Sequence, residues 1–288
     1  MRYERNILIV TILLLSVICS GQGTDMGREL KPGVFFGITA GTINSDLVHT
    51  SSFQLINKEA SVKSSLSGSI DFGYMVSRVF GIKTAIAFNT YKASLQLDTY
   101  TDAFNLKDDE NETYELRVTG SDITENESVK SLRIPAGIVL NIPISKVIIL
   151  FAEPEIGISL PMGTKFSSTG QFTYKGYYSE YNVLLENLPN HKFYTDKAII
   201  TDGMLELKKL WTNVSVFGGL GISISRKIQV KAGVKYLKSL SGLSDNVTDA
   251  KFHLSPSSGE VISLSEKSTA IETRYLGFGV SLRYFIHR

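Results

Sequence analysis

Tyr275-Leu276-Gly277-Phe278-Gly279-Val280-Ser281-Leu282-Arg283-Tyr284-Phe285 is the stretch whose reading decides the fold. Its apolar residues fall at every second position. Leu276, Phe278, Val280, Leu282 and Tyr284 share one face of an extended strand, and Gly277, Gly279, Ser281 and Arg283 share the other. A helix would space them at three and four. Working back along the chain, the same split recurs in seven more segments, at 34–40, 66–76, 80–88, 132–142, 148–160, 214–224 and 228–236. Eight strands are therefore expected. Their second face is mostly Gly, Ser, Ala and Asn, interrupted by Asp71, Lys83, Arg133, Glu153, Glu155, Lys231, Lys235 and Arg283.

The links between these strands alternate in length. Those near 77–79, 143–146 and 225–227 are short, whereas 44–65, 98–130, 161–209 and 241–271 are long. Short turns on one rim and long loops on the other are the habit of bacterial outer-membrane barrels, and eight obeys their even-number rule. A soluble lipocalin-like barrel, carrying an apolar ligand, would have the same period with the faces exchanged. Three features favour lipid on the apolar side. A water-facing side normally carries dense charge, and the polar face here does not. An eight-stranded interior holds just enough room for side chains, which suits small residues with a few charges paired against the cost of burial. The chain also ends on a strand closing with Tyr284-Phe285, where a lipocalin carries a helix. The expected fold is thus an all-β, eight-stranded antiparallel up-and-down transmembrane barrel over residues 33–288, with short periplasmic turns and long extracellular loops. The eight charges are expected to form a structural network in its lumen, with Arg133 and Glu155 as a cross-strand ion pair. Pro135 and Pro154, inside strands, are read as bulge sites.

Arg2 and Arg5 precede an apolar run at 7–15, too short to span a bilayer as a helix. With small residues at Ser20-Gly21, this reads as a signal peptide over 1–21, followed by a short segment at 22–32. Cys19, the single Cys, follows Ile18 and so fits lipidation poorly. One thiol excludes a disulfide scaffold. Thirty bases against 28 acids, net +2, disfavour nucleic acid as a partner.

Several phrases resemble the PorT-type outer-membrane β-barrel family: Ser131-Leu132-Arg133-Ile134-Pro135, Phe151-Ala152-Glu153-Pro154, Val216-Phe217-Gly218-Gly219-Leu220-Gly221, and Val234-Lys235-Tyr236 followed by Gly242-Leu243-Ser244-Asp245-Asn246. The resemblance spans roughly Gly33 to Phe285 and leaves the long loops unmatched. It implies an outer-membrane location, an eight-stranded barrel and no enzymatic activity. Some members are linked to protein secretion. The expected partners are outer-membrane lipid and lipopolysaccharide, the barrel assembly machinery, and an extracellular or secretion-system protein.

The 98–130 link holds ten acids (Asp98, Asp102, Asp108, Asp109, Glu110, Glu112, Glu115, Asp122, Glu125 and Glu127) against three bases. Carboxylates suit Ca²⁺, but the spacing matches no EF-hand, and a solvated surface loop is the reading adopted. His49, His191, His253 and His287 lie in long links or the tail, and none is spaced from a nucleophile in an informative way. They are read as surface residues, which leaves a rim-acting hydrolase or acyltransferase as the alternative function. Aromatics crowd 161–209, from Phe166 to Tyr194, either as a contact surface or as packing. No catalytic residue, metal or cofactor is expected.

Overall fold

The computed structural model describes residues 32–51, 64–244 and 263–286; the expected signal peptide lies outside them. Ten strands form one sheet: β1 (Gly33–Ser51), β2 (Ser64–Met75), β3 (Phe80–Lys107), β4 (Thr113–Pro143), β5 (Ile148–Tyr178), β6 (Val183–Leu185), β7 (Lys197–Gly203), β8 (Trp211–Ser223), β9 (Ile228–Ser239) and β10 (Ser268–Ile286). Eight of them close a ring. The order runs β4-β3-β2-β1-β10-β9-β8-β5, and β5 pairs back on β4, antiparallel throughout. Short connections at 76–79, 144–147 and 224–227 share one rim, each closed by a backbone hydrogen bond such as Val76 N to Phe80 O at 2.9 Å.

The alternation read from the sequence has the expected sense. Leu276, Phe278 and Leu282 are about half exposed on the outside, while Lys231 and Arg283 are buried inside. Ile38, Ile70, Ile82, Ile134, Ile156 and Val234 continue this outward apolar face around the ring. Four glycines pair directly across β1, β10, β9 and β8: Gly41 with Gly279, Gly279 with Gly233, and Gly233 with Gly219. A Cβ on Gly233 would sit 2.1 Å from the Gly218 carbonyl oxygen, so the strands approach there only because side chains are missing.

Two expectations need correction. The links 98–130 and 161–209 are largely strand. β3, β4 and β5 rise well past the ring, and β5 pairs along one edge with β8, then β7, then β6. The outer face of this extension carries polar and charged residues such as Lys107 and Arg117, so the apolar contrast that marked the ring is inverted. At Asp122, φ is +52° and a bulge in the β4–β5 register switches β4's inward face: Arg133, Glu127 and Ile123 point in below it, Leu116 and Val118 above it. The second correction concerns proline. Neither Pro135 nor Pro154 makes a bulge: register is kept on both sides of each, and the ladder only skips pairs beside them. The side chain of Pro135 is turned inward and that of Pro154 outward.

Inside, layers succeed one another from the short-turn rim. Phe35, Met75, Val139 and Phe285 form an apolar floor. Charged residues lie above it. A ceiling of Tyr91, Val129, Phe166, Trp211, Leu237 and Tyr275 follows. A separate apolar core fills the extension, built on Leu95, Leu116, Phe172, Tyr174, Tyr178 and Phe193.

Candidate functional site

Seven of the eight charged residues singled out in the sequence come together between floor and ceiling. Glu153 is the hub. Its Oε2 accepts from Lys83 Nζ at 2.8 Å and Arg283 Nη2 at 2.6 Å, and its Oε1 accepts from Lys231 Nζ at 2.7 Å. Glu155 takes Lys83 at 2.6 Å on Oε1 and Arg133 Nη1 at 2.7 Å on Oε2, with Lys235 at 3.9 Å. The Arg133 guanidinium is further held by Ser215 and Asn213. Two cations also lie over rings, Lys231 on Phe151 at 4.8 Å and Arg283 on Phe35 at 4.6 Å. The eighth residue, Asp71, is held by the hydroxyls of Thr39 and Ser69 at 2.6 and 3.0 Å. Arg133 and Glu155 do pair, although the ladder sets Arg133 opposite Ser159 and Glu155 opposite Gly137. The stagger of the strands, which a closed ring requires, carries the long side chains across. Such a layer blocks the interior, since an ion would have to displace buried, mutually bonded charges.

The cluster above the ceiling was not foreseen. His49 is buried and does not lie on the surface. Its Nε2 meets Glu127 Oε2 at 2.8 Å and its Nδ1 meets Ser268 Oγ at 2.9 Å. Beside them Glu125 accepts from the Ser263 hydroxyl and from the Leu264 backbone N–H at 2.9 Å, and so holds the start of the short 3₁₀ turn at Leu264–Lys267, whose cap is Ser263. Counting in twos from Arg133 down to Glu127 and Glu125 could have found the two carboxylates. The distant partners on β1 and β10 had no such signal. Serine, histidine and carboxylate together invite comparison with a hydrolase, but Ser268 is 0% exposed and the His49 and Glu127 side chains are sealed beside it. No substrate can reach that hydroxyl without opening the cluster.

Burial, reinforced by the neighbouring Glu127 carboxylate, pushes Glu125 up to about 8. A raised carboxyl stabilises the fold when protonated. Its contribution is complete below the ordinary value of 4.5 and lost as pH rises through 8. We therefore expect the Ser263–Ser268 amides to exchange hydrogen faster at pH 9 than at pH 6, after correction for the intrinsic rate. Glu125→Gln should remove most of that difference. An unchanged pH dependence in the variant would refute this role of Glu125.

At the far end of the extension an open cleft of about 850 Å³ lies between the β3–β4 hairpin tip and the segment after β6. Tyr114, Tyr178 and Phe193 line it with interlocked rings, Tyr114 stacked on Tyr178 at 5.3 Å and edge-on to Phe193 at 5.8 Å. Most of the aromatics of 161–209 are thus packing, with Tyr181 left half exposed. Asp108, Asp109, Glu110 and Glu112 stand on the rim. Among the described residues, no three His, Cys, Asp or Glu gather as a metal site.

No family model matches the chain, and no curated protein does. Among solved structures it is similar to Ail, the attachment invasion locus protein of Yersinia pestis, in complex with the heparin analogue sucrose octasulfate. The identity is 10% and the TM-score 0.33, over 88% of this chain and 100% of that one. It is also similar to Neisserial surface protein A, at 9% identity and TM-score 0.34 over 88% and 97%, and to a Pseudomonas aeruginosa FadL homologue, at 9% and 0.20 over 89% and 91%.

Proposed function

We propose that the chain is an integral outer-membrane protein, an eight-stranded up-and-down barrel without enzymatic activity whose tall extension does its binding work outside the cell. One observation carries this reading: the closed ring turns an apolar face outward, with Thr84 on it bonded back to the Pro135 carbonyl, and its buried charges inward. Only a surrounding hydrocarbon makes that arrangement favourable. In water it would expose a large greasy belt, and closing the ring leaves no open sheet edge to face the lipid. The sealed interior favours an anchor over a channel. The short-turn rim then faces the periplasm and the extension faces the medium. Outer-membrane lipid and lipopolysaccharide are the neighbours such a surface needs, and insertion would call on the barrel assembly machinery. A role in protein secretion rests on the resemblance of the strand motifs alone.

The test is fractionation with gel mobility. The protein should remain insoluble in sarkosyl and run faster unheated than boiled. Protease added to intact cells should cut within 179–188 and leave the ring whole. Recovery in the soluble fraction without detergent would favour the lipocalin-like alternative and overturn this reading.

A further inference from the structure

The cleft at the end of the extension is built as a ligand site would be. Its volume lies within the range of small-molecule and peptide pockets. Its floor is aromatic, and the rings fix one another in place. Its rim is set as well as its floor. Asp108 accepts from the backbone N–H groups of Glu110 and Glu112 at 3.0 and 2.8 Å and from the Tyr178 hydroxyl at 3.0 Å, and Glu112 accepts from Tyr181 at 2.9 Å. The tip is therefore a shaped turn, with Asn111 in the left-handed region at φ +66°. Asp109 and Glu110 are both exposed, and no described base pairs with either. The lysines near the rim do not neutralise it: Lys107 is directed to the Asn111 side chain at 2.9 Å, and four carboxylates face two lysines around the cleft.

Resting on the outer-membrane reading above, we propose that this cleft binds a basic peptide segment with an apolar side chain, its cation at Asp109 and Glu110 and its apolar group against Tyr114 and Tyr181. Charge decides for a peptide over a sugar. A neutral glycan could stack on the rings but would gain nothing from the two free carboxylates. A lysine or arginine is drawn to them, and its aliphatic stem can lie along the aromatic floor.

The test uses the full chain refolded in micelles, with its heat-modifiable mobility checked in the same sample. The probe is a fluorescein-labelled Leu-Lys-Phe-Lys peptide, read by polarisation. Saturable binding is expected, weakened at least tenfold when both lysines of the peptide become glutamates and about tenfold by Asp109→Asn with Glu110→Gln, each tenfold step being 1.4 kcal/mol. Raising salt from about 50 to about 500 mM should weaken it too, because the rim charges are exposed. Both substituted side chains point into water, so the variant is expected to fold. Maltohexaose saturating the site while the peptide does not would overturn the proposal in favour of a glycan site. Undiminished peptide affinity in the double variant would also overturn it, as would a folded, heat-modifiable barrel that binds no peptide. That last result would leave the membrane reading standing. A chain that fails to insert would remove both.

Discussion

A Glu153→Gln variant should lose about 3–5 kcal/mol of folding stability, the cost of leaving a buried charge without its partner. Three cations converge on this one carboxylate within 2.8 Å, and all four side chains are almost wholly removed from solvent. Glutamine keeps the shape and one acceptor but removes the charge that lets Lys83, Lys231 and Arg283 lie so close together. Their mutual repulsion would then act in a poorly screened interior. The measurement is urea unfolding in lipid vesicles, followed by the heat-modifiable band. Adding Lys231→Met should recover part of the loss, because it removes one of the stranded cations and fills the space beside Phe151. A variant with an unchanged midpoint would mean that water, rather than Glu153, compensates these cations.

Leu282→Arg should cost about 2–4 kcal/mol when the barrel sits in a bilayer. Leu282 pairs with Ile38 on β1 and Val230 on β9, in the middle of the outward apolar face. If that face met water instead, the substitution would fall within about 0.5 kcal/mol of neutral. One experiment thus separates the two environments. The next residue supplies the internal control: Arg283 is 1% exposed and bonded to Glu153. The same side chain is required at one position and excluded at its neighbour, because strand residues alternate in direction.

The ring was legible because an apolar outer face and a polar interior impose opposite demands on alternate residues. Leu276 to Tyr284 could hardly be read otherwise. The extension hid itself for a related reason. Above the apolar belt both faces admit polar groups in places, and the sense of alternation reverses where Asp122 interrupts β4. Leu116 and Val118 turn inward there, as Arg133 does in the ring. A segment with ten acids then reads as loop, although most of it is strand. The interior charges were legible as a set, since charge on the small-residue face can only point inward. Their partners were not, because stagger sets which side chains meet. His49 is the clearest example: its contacts with Glu127 and Ser268 join three strands, and no local pattern in β1 announces them.

The length of β4 has a consequence for where the protein can act. Its residues from 113 to 130 continue beyond the outward apolar face of the ring. At about 3.3 Å per residue and a tilt near 40°, they lift the hairpin end on the order of 45 Å. On the orientation proposed above, a short rim would keep its contacts buried among the sugars of the cell surface. A mast of this height would instead carry its tip toward the open medium, where a large or tethered partner could be touched without first parting the surface coat.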